Sequence, residues 1–92
     1  MKRITAVARG RVQGVGYRYF VTGCARKACV SGFVKNMPDG SVLMVAEGRQ
    51  EALDNFLYMA RALSEAGIRV DDISVKAEEA SGEFTGFFVE WV

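Results

Sequence analysis

The strongest constraint on this chain is that its hydrophobic period switches from two to 3.6 and back, twice over. A period of two marks a strand with one buried face; a period of 3.6 marks a helix with one apolar stripe. Residues 3–10 alternate, with Ile4, Ala6 and Ala8 on one side. Residues 17–29 place Tyr17, Phe20, Val21, Cys24, Ala25 and Ala28 at helical spacing. The stretch "SGFVKNMPDGSVLMVAEG" then predicts a hairpin with strands at 32–37 and 41–47. Pro38 suits the second position of a type I turn, and Gly40 suits the left-handed position after Asp39. Helical spacing returns over 50–65 through Leu53, Phe56, Leu57, Ala60 and Leu63, with Gly67 as the expected stop. Ile73, Val75 and Ala77 alternate in a further strand. "GFFVEWV" closes the chain as a short one, with Phe87, Val89 and Trp91 facing one way.

The order is βαββαβ with a fifth short strand. Two βαβ-type units sharing one antiparallel sheet give the ferredoxin-like split arrangement, an α+β sandwich. One apolar stripe per helix puts both helices on the same face of the sheet. With 92 residues, half of them hydrophobic, the chain is expected to form one domain over residues 1–92 around a modest core. No apolar run reaches membrane-spanning length, and Lys2 and Arg3 precede no long apolar segment. The expectation is a cytoplasmic protein without a signal peptide or a membrane partner.

The chain has two cysteines and no histidine. Cys24 and Cys29, five apart on one helix, point about 140° from each other, which is poor for a disulfide. Cys24 lies on the apolar stripe and reads as a core thiol. Without histidine a structural zinc site has too few ligands, and Ser-His or Cys-His nucleophiles are excluded. The net charge of +1 conceals an asymmetry. Residues 1–38 hold eight basic residues and no acid, and the remainder holds all eleven acids. That points to an anionic partner for the first half, with solvated surface charge as the plainer explanation for most of the eight.

One junction stands out. "GRVQGVGYR", Gly10 to Arg18, puts three glycines and a closing arginine between the first strand and the first helix. Glycine there permits a sharp turn, and backbone N–H groups at a helix start form an anion site. Tight strand–helix packing would also call for glycine. Better-known phosphate motifs do not fit. After Gly14 and Gly16 the third position of a dinucleotide fingerprint is Tyr19, and no Gly-Lys-Ser/Thr occurs. A thiol-dependent phosphatase needs arginine six residues after its cysteine, but Val30 and Lys35 stand there. "ITAVARG" and "SVLMVAEG" lack the aromatics that RNA-binding strands present, so no nucleic-acid partner is expected. Arg18, in the first helical turn, is placed to aim a guanidinium at whatever the loop holds. Asn36 closes the next strand, which runs in the same direction as the first. It offers a donor and an acceptor but no base, and it is also a residue that a hairpin bend favours.

"GRVQGVGYR", followed by "GFVKNMPDGSV" and later by "AEG", "EAL" and "SGEFTGF", resembles the acylphosphatase family over nearly the whole chain. The resemblance implies the fold read above. It also implies hydrolysis of acyl phosphates to a carboxylate and inorganic phosphate, without metal or cofactor, by a monomer acting on a small molecule. It assigns the backbone of Gln13, Gly14, Val15, Gly16 and Tyr17 to the phosphate. It assigns Arg18 to phosphate binding and Asn36 to orienting the attacking water. Tyr17 stands where the family often has Phe, and "SEAGIRVDD" lacks the Pro-containing turn common there.

Overall fold

The computed structural model describes residues 1–91; Val92, the last residue of the expected closing strand, lies outside them. The elements are β1 (Lys2–Arg11), α1 (Tyr17–Ala28), β2 (Ser31–Asn36), β3 (Val42–Gly48), α2 (Gln50–Ala60), β4 (Arg69–Glu79) and β5 (Phe87–Val89). They form one sheet in the order β4-β1-β3-β2-β5. The first four strands pair antiparallel with their neighbours. β5 joins the β2 edge in parallel, so the sheet is mixed rather than antiparallel throughout. The cause is directional. β4 runs opposite to β1 and ends at the far end of the sheet, so the chain must run back along β2 in the direction of β1 and β2.

The inward face of the sheet carries Ile4, Ala6 and Ala8 of β1, Val34 of β2, and Val42, Met44 and Ala46 of β3. They meet Tyr17, Val21, Cys24 and Ala25 of α1 and Leu53, Phe56 and Ala60 of α2 in one buried cluster. Both helices thus cover one face, as their single stripes require. Cys24 is a free core thiol whose pKa burial pushes up. Cys29, exposed, is the left-handed C-cap of α1.

α2 stops at Ala60 rather than near residue 65. The spacing does extend to Leu63, but Ala62 turns left-handed at φ 55° and the chain reverses there. Leu63 is therefore 70% exposed instead of extending the stripe. Gly67, at φ 88°, sits in the turn before β4 and does not cap the helix. The Tyr17 hydroxyl donates to the Ala60 carbonyl at 2.6 Å, satisfying a C-terminal group that a longer helix would have bonded internally. β4 alternates as expected but lies at the sheet edge, which leaves Val75 48% exposed.

The opposite face of the sheet is closed by residues 81–84. Glu47 of β3 is 2% exposed. It accepts from Ser81 N and Arg3 Nε at 2.8 Å each and from Gly82 N at 3.0 Å. Burial alone raises its pKa, but the Ser81, Arg3 and Gly82 donors outweigh that and hold it at about 2. The Arg3 guanidinium lies 5.2 Å from the Phe84 ring centroid, and Phe84 meets Phe33 edge-on at 5.9 Å. Among the described residues, no helix is long and apolar enough to cross a membrane.

Candidate active site

The register brings the sequence motifs to one end of the sheet. Val42 of β3 pairs with Ala8 of β1 on one side and with Asn36 of β2 on the other. Asn36 thus lies level with Ala8, toward the C-terminal end of β1, and the loop 12–16 and the turn 37–41 emerge at the same end of the sheet. Gln13 joins them. Its amide Nε2 donates to the carbonyls of Met37 and Ser41, both at 2.8 Å. The turn is closed by Met37 N to Ser41 O at 2.9 Å. Ser41 N also donates to Asp39 Oδ1 at 3.0 Å. The Ser41 hydroxyl and N–H hold the Asp39 carboxyl below its usual pKa.

The three glycines of the junction divide into two kinds. Gly10 belongs to β1, where the pairing with β4 shifts register, and a Cβ there would lie 2.2 Å from Arg69 O. It is a packing glycine. Gly14 and Gly16 have φ of 74° and 81°, and a Cβ on either would meet nothing within 4 Å. Packing does not require them; the left-handed turn does. The space beyond them is open.

That turn leaves donors unused. Among the described residues, no backbone or side-chain acceptor takes the N–H groups of Gly14, Val15, Gly16, Tyr17 or Arg18. Gly16 is the N-cap of α1, with no side-chain cap, and its carbonyl accepts the first helical bond from Phe20 N at 3.1 Å. Five adjacent N–H groups without internal acceptors thus stand at the positive end of a helix, an arrangement whose dipole and donors suit an anion. The Tyr17 ring is part of the buried core, and burial raises its phenol pKa.

Arg18 is the first charged side chain after the loop, on the first turn of α1. Among the described residues no carboxylate pairs with it. Lys2, Arg3 and Arg9 differ. They meet Glu79, Glu47 with Glu83, and Asp72, so part of the basic excess of the first half is neutralised across the sheet. Arg18 rests instead on the indole of Trp91, with Cζ 4.3 Å from the ring centroid. Asn36 carries the second unmatched group. Its Oδ1 is buried and has no hydrogen-bond partner among the described residues. A buried acceptor left unpaired costs about 1–3 kcal/mol, which a bound donor such as water recovers.

The Gln13–Arg18 segment and the Asn36 end of β2 are thus neighbours, as the motif spacing anticipates. The larger hollows lie elsewhere, one of about 480 Å³ between α1 and the end of α2, lined by Phe20, Cys24, Met59 and Leu63. The space beyond the Gly14–Gly16 loop is open rather than enclosed. Among the described residues, no three His, Cys, Asp or Glu side chains converge as metal ligands do. The Gln13 amide clamp and the Trp91 stack escape a reading of the sequence, because both depend on which loops the topology makes neighbours.

The acylphosphatase family model matches residues 4–89. An acylphosphatase of Thermus thermophilus is 43% identical over 97% of this chain and 99% of its own length. One from Methanospirillum hungatei is 37% identical over 89% of this chain and 90% of its own. The crystal structure of acylphosphatase from Bacillus subtilis superposes with a TM-score of 0.91 at 38% identity, covering 98% of this chain and 99% of that one. The chain belongs to the acylphosphatase family and is a hydrolase of acyl phosphates.

Proposed function

We propose that the backbone N–H groups of Gln13–Tyr17 and the Arg18 guanidinium hold the phosphoryl group of an acyl phosphate while Asn36 orients the attacking water. The observation that carries this is the run of unpartnered N–H groups around two left-handed glycines with open space beyond them. An acyl phosphate is a mixed anhydride, so its carboxylate leaves readily. The harder task is bringing water to a group that already carries negative charge. Fixed N–H dipoles and Arg18 reduce that repulsion and cost no reorganisation during reaction. The Asn36 amide, which offers both a donor and an acceptor, holds the water oxygen toward phosphorus. The water oxygen bonds to phosphorus, the bond from phosphorus to the acyl oxygen breaks, and the carboxylate departs with that electron pair. Asn36 is no base, so the water's proton passes to a phosphoryl oxygen or to solvent. Metal plays no part in this scheme.

The two side chains separate kinetically. Arg18 contacts the phosphoryl group in both ground and transition states, whereas Asn36 contacts only the nucleophile. Arg18→Ala is expected to raise KM, weaken competitive inhibition by inorganic phosphate and lower kcat. Arg18→Lys restores little, because an ammonium lacks the planar two-pronged contact. Asn36→Ala is expected to lower kcat by roughly two orders of magnitude, about 3 kcal/mol of activation free energy, with phosphate inhibition intact. Equal loss of phosphate affinity in both variants, with both folded by circular dichroism, would refute this division of labour.

A further inference from the structure

We infer that Trp91 is a positioning residue for Arg18, holding the guanidinium over the Gln13–Tyr17 loop so that its donors face the incoming phosphate; this rests on the reading of Arg18 as a phosphate ligand. The route of the chain makes the contact. β5 pairs with β2 in parallel through Val34 and Val89, and Glu90 N donates to Val34 O at 2.8 Å, carrying the register beyond the strand. The next residue, Trp91, therefore leaves the sheet at the Asn36 end of β2, beside the start of α1. Its indole meets the Arg18 guanidinium 4.3 Å from the ring centroid, yet the residue remains 66% exposed. An indole that far into solvent contributes little to the core.

The geometry of the pair matters for binding. A guanidinium is flat, and all its N–H donors lie in its plane. A carboxylate partner would occupy those donors and compete with phosphate. An aromatic face engages the flat side of the cation and leaves the edge free. Trp91 thus restrains a long, flexible side chain without consuming a hydrogen bond, so less freedom remains to be lost when the anion arrives.

The chain's single tryptophan makes this directly measurable. Intrinsic fluorescence and phosphate inhibition of acyl phosphate hydrolysis are to be followed in the unmodified enzyme, Trp91→Ala, Trp91→Phe, Arg18→Ala and the Arg18→Ala/Trp91→Ala pair. Inorganic phosphate is expected to change the emission along the same curve as it inhibits. Trp91→Ala is expected to weaken phosphate inhibition about two- to fivefold and Trp91→Phe by less, with melting midpoints close to that of the unmodified enzyme. In the Arg18→Ala background the Trp91 substitution is expected to add nothing, because its effect runs through the guanidinium. An unchanged inhibition constant in Trp91→Ala, an equal loss in both backgrounds, or silent emission while inhibition saturates overturns the inference. If Arg18→Ala itself leaves phosphate inhibition unchanged, it is the assignment of Arg18 that fails.

Discussion

Gly14, Gly16 and Asn36 share a property that single residues seldom have: each is locally unfavourable for folding alone. Two left-handed positions separated by one residue cost chain entropy, and a buried unpaired Oδ1 costs hydration. Neither cost is offset by packing, since the space beyond both glycines is empty. Replacing Gly14 or Gly16 by Val forces a β-branched residue to positive φ, where it costs of order 1–3 kcal/mol. It also places methyl groups in the open space beyond the loop. Phosphate inhibition is therefore expected to fall by far more than the melting midpoint shows. The opposite pattern, unfolding with normal phosphate affinity in the folded fraction, would return these glycines to a packing role. Tyr17 tests the converse. Its hydroxyl bonds only Ala60 O, so Tyr17→Phe is expected to cost about 1–2 kcal/mol in a thermal melt and to leave the phosphate inhibition constant unchanged.

Between elements, the stabilising contacts are the Gln13 clamp on the β2–β3 turn and the Glu47 anchor under residues 81–84. Glu47 carries a depressed pKa, so its contribution is fully present above the ordinary value of 4.5 and is lost as pH falls toward about 2. Acid melts are expected to show stability dropping across that window, and Glu47→Gln to flatten the drop while lowering stability at neutral pH. An unchanged acid profile in Glu47→Gln would remove Glu47 from the account. Neither contact was visible in the sequence, although the elements themselves were. The period of Ile4, Ala6 and Ala8 or of Leu53 and Phe56 is a local property, because burial of one face is repeated along one element. Glu47 shares the face of β3 turned away from the helices with Leu43 and Val45, and nothing local says that a segment 34 residues later will cover it. Leu63 shows the same limit from the other side. It keeps the helical interval, but the chain reverses at Ala62, and the interval then carries no burial. Arg18 and Asn36 stood out in the sequence because loop chemistry is written in residue type. The stacking of Trp91 on Arg18 did not, because it needs the parallel pairing of β5 with β2.

At the scale of the molecule, strands β1, β2 and β5 all end on one side of the sheet, and the Gln13–Arg18 segment, Asn36 and Trp91 lie at that end. The proposed phosphate site makes a demand on stability: inorganic phosphate at a hundred times its dissociation constant is expected to stabilise the chain by about 2.7 kcal/mol, read as a rise in melting temperature. Arg18→Ala is expected to abolish most of that rise. A mechanism built only from backbone dipoles, Arg18 and Asn36 also makes a demand on the chemistry itself. Water must attack phosphorus, not the acyl carbon, and no metal is needed to bring it there. Hydrolysis of an aromatic acyl phosphate in ¹⁸O-enriched water, with EDTA present, tests both demands in a single experiment. The expected result is undiminished turnover with the label in inorganic phosphate and none in the carboxylate. Label in the carboxylate, or turnover lost to EDTA and restored by magnesium, would contradict the account.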